Sequence, residues 1–327
     1  MINFVRKYWI SYVTSLFLGV GLFLLILSVT RPISTSPQSI ASPIPSYLNL
    51  QDNKQVTFLD LWTPIVQKIY GEGQPELNLS AKSVVMYDLA TGQTLYSKNP
   101  DEKLPMASLT KIMTAIIALE NQKADDRYLV TQQDIVGEDS MGVSPGEVFS
   151  LDDLLYGLLL PSGNDAAETL ATNYPGGAQA FTLAMNQKAK ALGMLDTHYT
   201  NPSGLEGDGD QYTTSYDLLI VTRYALENFP QFAKTVATYE YDIPASPDHK
   251  AFTLYNETNL LTTYEGVAGV KTGYTPDAGY CLVTYLNYKG HNIIGILLGS
   301  QDRRQEMKDL LDYSLKELAI TPPHFPK

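Results

Sequence analysis

An α/β chain of the α+β kind, an antiparallel sheet flanked by helices with an inserted all-helical subdomain, is predicted by three features of the sequence. Short runs that read as strands stand near the start of the main body, at Ser83–Asp88 and Gln93–Ser97, and again near its finish, at Gly269–Tyr274, Cys281–Tyr288 and Asn292–Gly299. The stretch between, from about Val130 to Pro244, is largely helical by its apolar spacing. Arg303–Leu318 then reads as a closing helix. Strand-rich ends around a helix-rich middle suit that architecture.

Taken in order, the chain of 327 residues opens with a short N-terminus, residues 1–7. Tyr8 to Thr30 then carries no charged residue across 23 positions, enough to span a bilayer as a transmembrane helix. Arg6 and Lys7 precede it, and the positive-inside tendency keeps them cytoplasmic and places the rest of the chain outside. A cleaved signal peptide is the rival reading, but the apolar part is long for one and no clear A-x-A site follows, so an uncleaved signal anchor is expected. Residues 31–47 hold many Ser and Pro and read as a linker. Within residues 48–80, Phe58, Leu61, Trp62, Ile65, Val66, Ile69 and Tyr70 make the stripe of an amphipathic helix, expected to pack on the domain and to end near Gly71. The main domain is assigned to residues 81–320 and a tail to 321–327.

Within that domain, Leu89-Ala90-Thr91-Gly92 joins the first two strands into a hairpin. The segment from Pro105 to Leu119 lacks Gly or Pro after its start and is apolar on nearly every face, which marks a central, buried helix. Ser108 and Lys111 lie three apart at its beginning, so hydroxyl and amine can meet as nucleophile and base. Helices are expected at Leu151–Leu160, Asp165–Asn173, Ala178–Leu192 and Ser215–Asn228, with loops between them.

Composition narrows the classes of function. A net charge of −12 argues against a general nucleic-acid binder, because phosphate binding needs concentrated Lys and Arg. One cysteine, Cys281, excludes an internal disulfide and reads as a small buried thiol. His198, His249, His291 and His324 are scattered without metal-ligand spacing, which speaks against a zinc site or a Ser-His-Asp triad and gives a lysine base weight. No metal or cofactor is expected.

Two further stretches accompany Ser108-x-x-Lys111: Ser162-Gly163-Asn164 and Lys271-Thr272-Gly273. Ser-x-x-Lys, Ser-x-Asn and Lys-Thr-Gly in that order form the signature of penicillin-binding proteins and class A β-lactamases. Ser97-Lys98-Asn99 also fits the second pattern, but it precedes Ser108 and reads as accidental. On these motifs, and on Met141-Gly142, Pro145-Gly146-Glu147, Asn201-Pro202-Ser203-Gly204-Leu205 and Ala278-Gly279-Tyr280, the chain resembles the D-alanyl-D-alanine carboxypeptidases, the low-molecular-mass penicillin-binding proteins, from about Ala81 to Tyr313.

The resemblance implies a penicillin-binding-protein/β-lactamase-like transpeptidase fold and a serine peptidase that removes the terminal D-alanine of peptidoglycan pentapeptides. Its partners would be stem peptides ending in D-Ala-D-Ala, β-lactams as covalent inhibitors, and the bacterial membrane through the N-terminal helix, with the catalytic domain extracytoplasmic. By the same likeness Ser108 is the nucleophile, Lys111 accepts its proton, Ser162 relays a proton to the leaving amine and Asn164 holds the substrate backbone. Asn164 with Asp165 can equally cap the next helix. Lys271, Thr272 and Gly273 would form the strand edge along which substrate lies, and the N–H groups of Ser108 and Tyr274 the oxyanion hole. The carboxylate-binding arginine aligns with Arg303, with Arg304 the alternative by one register. Ala268 stands where an Asp is common in the family, and the β-rich domain that follows in many relatives is not expected after Leu318, so an N-terminal anchor would replace a C-terminal one.

Alternatives within the fold are a DD-endopeptidase and a β-lactamase. The latter needs a Glu-x-x-Asn, which none of Glu168, Glu206, Glu227, Glu240, Glu257 or Glu265 provides. Outside enzymes, a non-catalytic wall-binding module is the remaining reading.

Overall fold

A five-stranded antiparallel sheet organises the molecule, and strands from the two ends of the domain meet at its centre. The computed structural model describes residues 61–66, 77–207, 209–258 and 260–323. Strands β1 (Ser83–Asp88) and β2 (Gln93–Lys98) form the expected hairpin. All six residues of β1 are buried, as a strand covered on both faces requires, whereas β2 at the sheet's edge has exposed and half-buried positions. Two short pairs lie outside the main sheet: β3 (Tyr128–Leu129) with β4 (Val148–Phe149), and β5 (Glu240–Ile243) with β6 (Phe252–Tyr255). β7 (Val267–Thr275), β8 (Gly279–Tyr288) and β9 (His291–Ser300) complete the sheet, whose order is β2-β1-β9-β8-β7.

Alternation along the strands splits the core into two layers. Val84, Met86, Leu282, Leu286, Ile293 and Leu297 point to one face, where they pack against Met307, Leu310, Leu311 and Leu315 of the closing helix, Arg303–Glu317. Val85, Val283, Ile294 and Ile296 point to the other, against the helical body. That body comprises α1 (Lys111–Glu120), α2 (Leu151–Leu159), α3 (Asn164–Thr172), α4 (Gly177–Ala191), α5 (Ser215–Asn228) and α6 (Pro230–Val236). A one-turn α7 (Leu260–Thr263) precedes β7, and the closing helix is α8. Helix α1 is buried from Lys111 through Ala118, in keeping with its apolar faces. Side-chain caps set three starts: Ser150 accepts from Asp153 N, Thr214 from Asp217 N and Asp302 from Gln305 N.

Three expectations need correction. Ser108 stands in a 3-10 turn, Ala107–Thr110, and the α-helix begins at Lys111; Ala107 takes a left-handed φ of 49°, so no continuous helix runs through it. The amphipathic helix expected over Phe58 to Tyr70 is absent from its described part, residues 61–66, which are irregular. Pro64 lacks an N–H and disfavours a helical Thr63, while Trp62 gains a T-shaped contact with Tyr87 and lies under the Arg223 guanidinium. The largely helical stretch expected to run to Pro244 ends earlier, since Glu240–Ile243 pairs with Phe252–Tyr255. The transmembrane segment Tyr8–Thr30 and the linker 31–47 lie outside the described residues, and among the described residues no helix is long and apolar enough to cross a membrane.

Candidate active site

The 3-10 turn presents Ser108 where α1 meets the β7 edge. The Lys111 side chain folds back one turn, and its Nζ lies 2.8 Å from Ser108 Oγ, 2.7 Å from Asn164 Oδ1 and 2.7 Å from the Ser203 carbonyl. Lys111 is completely buried. Burial drives its amine well below the ordinary lysine range and the Lys271 charge adds to this, outweighing the opposing pull of Asp139, Glu257 and Glu168. The Ser203 carbonyl is set by Asn201, whose Oδ1 accepts from Ser203 N (3.2 Å) and Gly204 N (2.7 Å). Gly204 has φ +89° and passes so close that a Cβ would stand 2.1 Å from the Ala107 carbonyl oxygen. No side chain larger than hydrogen fits there.

Ser162 occupies the turn between α2 and α3 with a left-handed φ of 63°. Its hydroxyl is buried, lines the cleft and has no hydrogen-bond partner among the described residues. Such strain persists where the surroundings over-determine it. Here Asn164 N donates to the Asp139 carbonyl (2.8 Å), and the buried Asp165 carboxylate accepts from Met141 N (2.8 Å), Gly142 N (2.8 Å), Val143 N (3.1 Å) and Ser140 Oγ (2.5 Å). Asp165 thus pins the 140–143 loop, and Asn164 is left at the head of α3 to face Lys111.

Strand β7 forms the far wall and is the edge of the sheet opposite β2. Lys271 is buried, its Nζ 3.2 Å from the Thr272 carbonyl, and burial pushes it down to about 8 although the Glu257 carboxylate opposes the shift. Thr272 Oγ1 donates to Glu257 Oε2 at 3.1 Å. A Cβ on Gly273 would come within 3.2 Å of Ser108 N, Met106 O and Ala107 Cβ, so a bare backbone lets the strand reach the nucleophile turn. Arg303, at the start of α8, donates from Nη1 to the Gly273 carbonyl (2.8 Å) and lies over the Tyr280 ring. Burial lowers its guanidinium's pKa. Arg303 lines the cleft, whereas Arg304 is exposed. The cleft encloses about 730 Å³ between Ser108, Ser162, Thr272, Gly273, Tyr274 and Arg303.

All nine residues singled out in the sequence converge here: Ser108, Lys111, Ser162 and Asn164 on the helical side, Lys271, Thr272, Gly273, Tyr274 and Arg303 on the sheet side. Sequence reasoning missed the Ser203 carbonyl and the cleft carboxylates Glu138, Asp139 and Glu257. Asn201-Pro202-Ser203-Gly204 was a visible turn signal for the first; nothing local distinguishes the carboxylates from other surface acids. Among the described residues, no group of three or more His, Cys, Asp and Glu side chains is placed to hold a metal ion.

A buried lysine beside a serine, a second serine and a lysine-bearing strand edge thus stand together around one cleft. The D-alanyl-D-alanine carboxypeptidase family model matches residues 70–302, and the chain belongs to that family. It is 33% identical over 261 residues to the D-alanyl-D-alanine carboxypeptidase DacF of Bacillus subtilis, covering 77% of this chain and 66% of that one. A D-alanyl-D-alanine endopeptidase of Pseudomonas aeruginosa is 35% identical over 224 residues, 66% of this chain and 71% of the relative. The crystal structure of a Streptomyces DD-transpeptidase superposes with a TM-score of 0.69 at 31% identity, covering 73% of this chain and 98% of the other. The chain spans about two thirds of the length of the Bacillus relative.

Proposed function

We propose that this protein is a serine-type D-Ala-D-Ala carboxypeptidase that removes the terminal D-alanine from peptidoglycan pentapeptides. The observation that carries the reading is the buried Lys111 amine, 2.8 Å from Ser108 Oγ and held well below its ordinary pKa. A neutral amine there accepts the Ser108 proton as Oγ attacks the carbonyl of the penultimate D-alanine. The oxyanion forms between the N–H groups of Ser108 and Tyr274, and each such donor is typically worth about 3 kcal/mol in the transition state. Collapse breaks the C–N bond. Terminal D-alanine leaves with a proton relayed through Ser162, whose unpartnered hydroxyl supports that role. Water then cleaves the ester and returns Ser108.

Substrate lies antiparallel along β7 as an added strand, with Asn164 on its backbone. Its terminal carboxylate meets Thr272, Lys271 and Arg303, whose fork suits a carboxylate. β-Lactams mimic the acyl-D-alanyl-D-alanine end and acylate the same oxygen. Benzylpenicillin should therefore add one equivalent on Ser108 by peptide mass mapping, and Ser108→Ala should abolish the adduct; labelling that persists, or that maps to Ser162, would defeat the assignment. The Pseudomonas endopeptidase relative supports a second reading, cleavage inside cross-linked peptides, which digestion of a cross-linked dimer would reveal. The location that fits this substrate is extracytoplasmic, on a membrane anchor at Tyr8–Thr30, a reading that rests on the sequence.

A further inference from the structure

The carboxylate-recognising end of the cleft carries an anion of its own. Thr272 has one proton to donate, and Glu257 Oε2 takes it at 3.1 Å. A substrate carboxylate that is to receive this hydrogen bond must displace the Glu257 carboxylate. Glu257 is not a loose surface acid: its N–H donates to the Leu160 carbonyl at 3.2 Å, next to the Ser162 turn, and its neighbours Asn256 and Thr258 are buried. Asn256 fixes the backbone by donating from Nδ2 to the Val236 (3.1 Å) and Thr238 (3.0 Å) carbonyls. The carboxylate also opposes the effect of burial on both Lys271 and Arg303, as Asp139 does more weakly, so it lies within the field of the same two cations that a substrate carboxylate would use.

We infer that Glu257 is a specificity-determining residue that competes with the substrate's terminal carboxylate for the Thr272 hydroxyl and so narrows the preference for free-acid over capped C-termini. The inference rests on the carboxypeptidase reading and deepens it. A capped end, such as an amide or the internal bond of a cross-linked peptide, brings no negative charge against Glu257 and loses less by its presence. An enzyme built this way keeps capped peptides within reach at the expense of grip on free acids.

The test compares kcat/KM on an acyl-D-Ala-D-Ala peptide and on its C-terminal amide for wild type, Glu257→Gln, Glu257→Ala and Glu257→Asp. Because Glu257 also helps to keep Lys271 protonated, the comparison is made across pH and read on the acid side, where Lys271 holds its charge in every variant; there, removing the competing charge should raise the free-acid value about tenfold, the lower end for a charge-assisted hydrogen bond at an exposed carboxylate, and leave the amide value within about twofold. Glu257→Asp keeps the charge but is too short to hold Thr272, and should give a smaller rise. Arg303→Ala should move the acid-to-amide ratio the opposite way. An active wild type whose ratio, read on that acid side, stays put or falls in both Glu257→Gln and Glu257→Ala, with unchanged melting temperatures, overturns this inference alone. A wild type that neither releases D-alanine nor forms the Ser108 penicilloyl adduct refutes the carboxypeptidase reading and this inference with it.

Discussion

Lys111 and Lys271 are both buried lysines in one cleft, yet the proposed chemistry asks opposite things of them. Lys111 must be neutral to accept a proton, and burial followed by the Lys271 charge lowers it well below its ordinary range. Lys271 must be positive to draw a carboxylate, and burial leaves it at about 8, with Glu257 limiting the fall. The two downward shifts act oppositely: that of Lys111 extends the range in which it is a base, and that of Lys271 shortens the range in which it is a cation. As pH rises, loss of the Lys111 proton raises activity, and above about 8 Lys271 loses its own and the hold on the substrate carboxylate declines. The kcat/KM profile for a free-acid peptide should therefore have a descending limb near pH 8 that its C-terminal amide lacks, and a free-acid profile flat to pH 10 would contradict the role of Lys271. Lys111→Ala should slow penicillin acylation by about 10²–10⁴-fold with the fold intact, as general-base losses do, measured by stopped-time labelling beside a thermal melt. The Ser108–Lys111 spacing was legible because a three-residue step fixes proximity on any helical turn; the Ser203 carbonyl was not, because it reaches Lys111 from 92 positions away.

Elements position the site through their ends rather than their middles. The head of α3 shows this best, since Asp165 there gathers three main-chain N–H groups of residues 141–143 and the Ser140 hydroxyl, and the Gly163 backbone packs so tightly that a Cβ would stand 2.6 Å from the Gly157 carbonyl oxygen. An amide at this position turns one acceptor into a donor facing N–H groups. Asp165→Asn should cost about 2–4 kcal/mol, read from urea unfolding, and should slow acylation by loosening the Ser162 turn. Unchanged stability would mean that the loop holds without the carboxylate. The helices were legible from their apolar spacing, and the three that Ser150, Thr214 and Asp302 cap start within one residue of where that spacing places them. The central sheet was legible from its apolar runs. The β5–β6 pair was not, for its four-residue strands alternate too briefly to stand out beside helical neighbours. Leu61–Val66 misled because its stripe of apolar residues serves packing on Tyr87 and Arg223 in an irregular segment, which leaves Ile65 exposed.

At the scale of the whole molecule, sheet and helical body meet at the cleft, and the described residues fall within one compact unit, residues 58–327. Its substrate class, on the reading proposed here, is part of a polymer outside the cytoplasmic membrane. That places a demand on the segment before it. On the anchor reading proposed above, Tyr8–Thr30, uncharged and long enough to span the hydrocarbon core, would hold the chain in the membrane, and Arg6 with Lys7 ahead of it would orient the remainder outward. The full chain should therefore sediment with membranes and resist high-salt extraction, since a spanning segment is held by apolar transfer rather than by charge, and detergent should release it. Removing residues 1–47 should yield a soluble protein that still forms the Ser108 penicilloyl adduct, because every cleft contact described here is made by residues beyond that point. N-terminal sequencing of the mature protein discriminates the rival: a first residue beyond Thr30 would identify a cleaved signal peptide and end the anchor reading. Loss of penicillin binding on truncation, with a normal melting transition, would instead show that residues 1–47 contribute to the cleft itself.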